Sequence, residues 1–150
     1  MIGDFGRGTE ATVMQTAGNR VGISICYEMI FPDLIRQAVK NGANFLVNIT
    51  NDAWFGKSPA SYQHRSMGAL RAVENRVSIV RAANTGISGT IEATGKLRDE
   101  TQLFTEEFRV TQITPATGGK TFYSLNGDIF SWVCLLLTGL IAIAARRGKK

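Results

Sequence analysis

Two residues near the start of the chain have types and spacing suited to covalent chemistry. Cys26 ends the run Ile23, Ser24, Ile25, and Glu28 follows two positions later. Cysteine is partly ionised near neutral pH and needs less activation than serine to act as a nucleophile. At a strand end before a turn into a helix, a thiolate would also feel the positive end of the helix dipole. On position alone, the commoner reading of a cysteine after an apolar strand is a buried, inert side chain. Glu28 argues the other way. On extended backbone, residues two apart share a side, so its carboxylate would lie beside the thiol. There it could orient or protonate an amine or an alcohol. A carboxylate alone opposes ionisation of a neighbouring thiol, so chemistry here requires a cation and a base from elsewhere in the fold. The nearest following cation is Arg36, inside a predicted helix.

Asn51, Asp52, Trp54 and Phe55 follow the apolar run 45–49, and Asn84 lies in the turn after 78–83. In open α/β sheets the carboxyl ends of strands line the site. Both turns therefore read either as site loops or as plain connections, the first being an Asx turn with two anchoring aromatics. His64, the single histidine, reads as a hydrogen-bonding residue of a helix rather than a catalyst. One histidine and two cysteines 108 positions apart argue against a metal centre and against a small secreted disulfide framework. No Gly-x-Ser-x-Gly turn accompanies His64 to suggest a serine triad.

The elements that must position these residues alternate between strand and helix. Residues 9–16 and 20–26 read as strands joined at Ala17, Gly18 and Asn19. Pro32 opens a helix whose apolar positions are Leu34, Ile35, Ala38 and Val39, with Gly42 closing it. A strand over 45–49, a loop over 51–56, a helix over 60–76 and strands over 78–83 and 87–92 follow. Met67, Leu70, Val73 and Val77 mark one face of the second helix. The turn at residues 93–96 leads to Leu97, and the alternation of Phe108, Val110 and Ile113 suggests one more strand. Strand–helix–strand order implies an α/β sheet with crossover connections.

At 150 residues the chain can bury a core, and 44% hydrophobic with 19% charged residues excludes a disordered chain. The net charge of +5 is a local property: four basic residues fall in the last five, leaving 13 basic against 12 acidic elsewhere. No nucleic-acid recognition motif is visible, and no nucleic-acid partner is expected. Residues 129–145 form an uncharged run of 17, bounded by Asp128 and by Arg146 and Arg147, with the aromatics Phe130 and Trp132 at its first end. At about 1.5 Å per residue this spans roughly 26 Å, near the hydrocarbon thickness of about 30 Å. A membrane helix is expected, with residues 146–150 cytoplasmic and the body on the opposite side. No apolar stretch of a signal peptide follows Met1.

Several segments together resemble the nitrilase superfamily. They are Ile25, Cys26, Tyr27 and Glu28 with Phe31 and Pro32; NITNDAWFG at 48–56; Gln63 and His64; RAVENR at 71–76; and RAANTGIS at 81–88. Within that superfamily they resemble the apolipoprotein N-acyltransferases, as do Thr121, Phe122, Tyr123, Gly127 and Asp128 before a terminal apolar helix. NDAWFG together with such a helix separates this group from soluble nitrilases and amidases better than ICYE does.

The resemblance implies part of a nitrilase-like α/β/β/α sandwich and a Glu–Lys–Cys catalytic set needing no cofactor and no metal. Cys26 matches the nucleophile, Glu28 the acidic residue after the Cys–Tyr pair, and the Tyr27 N–H would help hold the oxyanion. Asn51, Asp52, Trp54, Phe55 and Asn84 are the expected substrate-binding residues. The implied reaction moves a fatty acyl chain from a phospholipid, through a Cys26 thioester, to the terminal amine of a diacylglyceryl-cysteine lipoprotein at the bacterial inner membrane. The family's base Glu and its Lys lie upstream of the Cys segment. Here no Lys precedes Cys26, and Glu10 and Asp4 lack the matching context. The chain is therefore expected to be a C-terminal portion, inactive alone. Its divisions would be 1–122 catalytic, 123–128 a juxtamembrane linker, 129–145 transmembrane and 146–150 a cytoplasmic tail. Two alternatives stand beside this: a membrane-tethered carbon–nitrogen hydrolase, and a non-catalytic membrane-anchored remnant.

Overall fold

The computed structural model describes residues 8–148. Asp4 and the other residues next to Met1, and Lys149 and Lys150 of the basic tail, lie outside them. Six strands form one mixed sheet in sequential order: β1 (Val13–Thr16), β2 (Asn19–Ile25), β3 (Phe45–Asn51), β4 (Ser78–Asn84), β5 (Gly89–Ile91) and β6 (Leu97–Arg98). The central β2, β3 and β4 are parallel, and the outer pairs are antiparallel. The β1–β2 hairpin turns through Ala17 and Gly18, both at positive φ, the geometry that matches the twist of the flanking strands.

Each parallel crossover carries a helix. Helix α1 (Pro32–Lys40) starts on its proline, ends at Asn41, and reverses through Gly42 at φ +104°. Helix α2 (Ala60–Asn75) ends on Arg76 in the left-handed conformation. Ile35, Ala38 and Val39 of α1 and Ala72 of α2 pack with Met29, Leu46, Val77, Ile79 and Ile91 into one core on one face of the sheet.

One expectation fails on this point of packing. Met67, Leu70 and Val73 of α2 are exposed, whereas Ser61, His64, Gly68, Arg71, Ala72 and Asn75 are buried. The sheet is inverted in the same sense. Ser24, Asn48, Thr50 and Arg81 point under the helices and are buried, while Ile23, Ile25 and Ile49 face outward, Ile25 at 63% exposure and Ile49 at 52%. Because strand side chains alternate with period two, these sets lie on opposite faces. The helix-covered face is polar near its carboxyl edge, and the open face is apolar. The described residues thus form one sheet and its helix layer, half of the four layers expected.

Beyond β6 no strand forms among the described residues, and Phe108 and Val110 stand 88% and 91% exposed. Their alternation finds no partner, since β6 is two residues long. The chain returns across the sheet, anchored by Ser78 Oγ donating to the Thr114 carbonyl and Ala116 N–H to Asn44. The expected linker at 123–128 is mostly helix. Helix α3 (Phe122–Asn126) is capped by Thr121, which accepts from the Ser124 N–H and donates to the Glu74 carbonyl. Ser124, fully buried, donates to Asn75, so α3 is fastened to the end of α2. After Gly127 and Asp128, helix α4 (Ile129–Arg147) begins. Its first 17 residues carry no charge, the last two are Arg146 and Arg147, and its apolar stretch is not buried. By length and composition it can cross a membrane.

Candidate active site at the carboxyl edge of the parallel strands

Parallel register brings the sequence-derived residues to one edge. Ile25 pairs with Ile49, Ile49 with Ala82, and Asn51 with Asn84, so Cys26, Asn51 and Asn84 lie at the carboxyl ends of three adjacent strands. The Asp52 N–H donates to the Asn84 carbonyl at 3.1 Å, which ties the second and third of these loops together.

Cys26 is partly exposed and has φ +52°, the left-handed region. For an L-residue that conformation costs roughly 1–2 kcal/mol and persists only where neighbours over-determine it. It begins a 3-10 turn, Cys26–Ile30, that throws the chain off the strand into α1. This turn changes the expected place of Glu28. The backbone is not extended there, and Glu28 folds back so that its carboxylate accepts the Ile25 N–H at 2.6 Å. It holds the turn.

Beneath Cys26 lies a polar cluster that sequence reading did not assemble. Asn48, Asp52, His64 and Arg81 are 0 to 3% exposed. Asn48 donates to the carbonyls of Ser24 and Cys26, both at 3.2 Å. Arg81 donates to Asn48 Oδ1 at 2.6 Å, to Asp52 Oδ2 at 2.7 Å and to the Ile87 carbonyl at 3.1 Å. Asp52 also accepts from Thr50 and lies 3.1 Å from His64 Nδ1. The partners come from β3 and the loop after it, from β4 and from α2. The only sequence signal was the presence of four polar residues inside otherwise apolar runs and on a helix.

The electrostatics follow from burial. Desolvation pushes Arg81 down from its usual range, and the Asp52 carboxylate beside it holds it up. Arg81 is thus the buried cation of the cluster beneath Cys26, whereas Arg36 pairs with Asp33. His64 is held below the ordinary imidazole value, first by burial and then by Arg81, against its hydrogen bond to Asp52. It is neutral at pH 7. Nδ1 lies 3.1 Å from both Asp52 Oδ1 and an Arg81 Nη, and buried Nε2 has no side-chain partner among the described residues. The rings of Tyr27 and Phe55 lie 5.6 and 6.0 Å from the imidazole. His64 is the hydrogen-bonding helix residue expected, with a site loop as its partner.

The loop after β3 resolves its two readings unevenly. Asn51 does form an Asx turn, accepting the Ala53 N–H. Phe55 packs edge-on against His64, but Trp54 anchors nothing and stands 84% exposed. Asp52 belongs to the buried cluster, while Asn51 and Asn84 are exposed at the edge.

A strained cysteine at the carboxyl edge of a mixed sheet, with helices on one face, is an arrangement of the nitrilase fold. The chain belongs to the carbon–nitrogen hydrolase family, whose profile matches residues 4–123. In solved structures the fold recurs in a carbon–nitrogen hydrolase from Helicobacter pylori G27 (TM-score 0.57, 13% identity, 64% of this chain and 41% of that one). It recurs also in Saccharomyces cerevisiae Nit3, a member of branch 10 of the nitrilase superfamily (TM-score 0.56, 22% identity, 67% and 40%). In sequence the chain is 47% identical over 148 residues to the apolipoprotein N-acyltransferase of Geobacter metallireducens. That match covers 99% of this chain and 28% of the relative, so the chain spans about a quarter of the relative's length.

Proposed function

We propose that this chain supplies the nucleophile-bearing part of a membrane N-acyltransferase acting on lipoproteins. Cys26 Sγ attacks the ester carbonyl of a phospholipid, and the Tyr27 N–H donates to the oxyanion that forms. The carbon–oxygen bond breaks, the lysophospholipid leaves with the proton taken from the thiol, and the acyl group remains on sulfur. The α-amine of a diacylglyceryl-cysteine then attacks the thioester. An amide forms, and the amine's proton returns to the thiolate. The proton carrier in this reading is the Glu that the family holds upstream of the Cys segment, supported by its Lys. Glu28 secures the turn that presents the Tyr27 N–H. Asn51, Asp52 and Asn84 shape the acceptor side, and exposed Trp54 with Phe55 offers apolar surface to the acyl chain. The protein would sit in the bacterial inner membrane with its body in the periplasm and its basic end in the cytoplasm.

The observation that carries this reading is the continuity of the site-bearing sheet with α4. A helix apolar on every side follows the docked α3 by two residues, so the cysteine is tied to a surface where long-chain esters are the substrates at hand. The similarity to named N-acyltransferases supports it. Mass spectrometry of the Cys26 peptide, from chain purified out of bacterial membranes, tests it. A hydroxylamine-labile long-chain acyl adduct is expected. A short acid on Cys26 would make the chain a carbon–nitrogen hydrolase, and an unmodified Cys26 would refute both and leave the non-catalytic, membrane-anchored reading.

A further inference from the structure

We propose that Arg81 is a positioning residue for acyl transfer, fixing the left-handed backbone of Cys26 through Asn48. The inference rests on reading Cys26 as the acyl-carrying nucleophile. Three loops make the candidate site, and Arg81 reaches all of them. Its Nε holds the Ile87 carbonyl after β4, one Nη holds Asp52 after β3, and the other holds Asn48, whose amide holds the Cys26 carbonyl after β2.

The logic lies in donor and acceptor types. A guanidinium has only donors. Facing Asn48 at 2.6 Å, it admits only the amide oxygen on that side, so the amide NH2 must point at the Ser24 and Cys26 carbonyls. Cys26 at φ +52° is then held by a directed bond rather than by packing alone. The same peptide unit carries the Tyr27 N–H, because the Cys26 carbonyl and the Tyr27 amide are two ends of one rigid plane. Fixing the carbonyl inward fixes the N–H outward, toward the place where an oxyanion would form. Arg81 itself is 3% exposed and touches no substrate in this arrangement.

Acylation and alkylation of the same sulfur separate positioning from general integrity. Acylation passes through a tetrahedral oxyanion, whereas alkylation by iodoacetamide displaces iodide at a saturated carbon and forms none. The full chain in detergent micelles, with Cys134→Ala so that Cys26 is the single thiol, is treated with p-nitrophenyl palmitate. The sulfur–acyl bond forms, p-nitrophenolate leaves, and the thiol proton goes to buffer. Phenolate release and the palmitoyl-Cys26 mass give the rate.

Asn48→Asp, which keeps the acceptor toward Arg81 but loses the donor toward Cys26, is expected to slow acylation about 10-fold or more. Its alkylation should stay within about 3-fold of wild type, the scale of ordinary context effects. Arg81→Gln should do the same, and Arg81→Lys should recover part of the acylation. Variants that acylate at the wild-type rate, or whose two rates fall together, overturn the proposal. So does loss of a cooperative melt in both Asn48→Asp and Arg81→Lys, because the cluster would then be holding the fold rather than a geometry. A wild-type Cys26 that alkylates but never acylates removes the nucleophile reading, and this inference with it.

Discussion

His64 makes stability depend on pH in a way that can be worked out from its surroundings. It is 2% exposed, and burial with Arg81 alongside lowers its proton affinity below that of a solvated imidazole. In the unfolded chain it titrates near 6.5. Below that pH the unfolded state binds a proton that the folded state refuses, so acidification favours unfolding. The stability contributed by neutral His64 is present above pH 6.5 and is lost as pH falls toward its folded value. For one proton the slope is about 1.4 kcal/mol per pH unit. For a chain of this size that is a fall in Tm of roughly 3–5 °C per unit. Glu74 is shifted the other way, upward by burial, so it opposes the His64 trend and is common to both chains compared. The assay is therefore run from pH 7.5 to 5.5 in detergent, following thermal unfolding of the chain and of His64→Gln. The wild type should lose Tm through this range, and the variant should lack that one-proton slope whatever its absolute stability. Equal slopes would refute the assignment of His64 as a buried neutral imidazole.

Two further predictions concern packing. A Cβ on Gly86 would stand 2.5 Å from Asp52 Oδ2, which Arg81 holds in place. Gly86→Ala should therefore cost about 1–3 kcal/mol by overpacking, while Gly118→Ala, with nothing within 4 Å, leaves the melt unchanged. The open sheet face predicts that residues 1–128 expressed alone aggregate in plain buffer. Ile25→Thr with Ile49→Thr, which keep β-branching on that face, should shift light scattering toward monomer. A monodisperse, cooperatively melting wild-type body would contradict the reasoning.

The terminal apolar helix, the proline start of α1 and the β1–β2 turn were legible in sequence because each is a local property. An uncharged run, a ring that fixes φ and a Gly after a strand act within a few residues of themselves. The edge placement of Cys26, Asn51 and Asn84 was legible too, since each follows an apolar run that can only be a strand end. What tertiary structure alone decided is which side of those strands matters. Period-two alternation marks two faces but does not say which one meets the helices, and here the polar set of Ser24, Asn48, Thr50 and Arg81 went inward. Arg81, the buried cation of the cluster, lies 55 positions beyond Cys26 in sequence. Arg81 meets Asn48 and Asp52 across separations of 33 and 29 residues, and only the parallel register of β3 and β4 puts them side by side. Glu28 shows the same limit at short range. Its side was inferred from an extended backbone, and the left-handed turn at Cys26 sent its carboxylate back to Ile25 instead. Backbone conformation at one residue, set by an amide 22 positions away, overrode the local pattern.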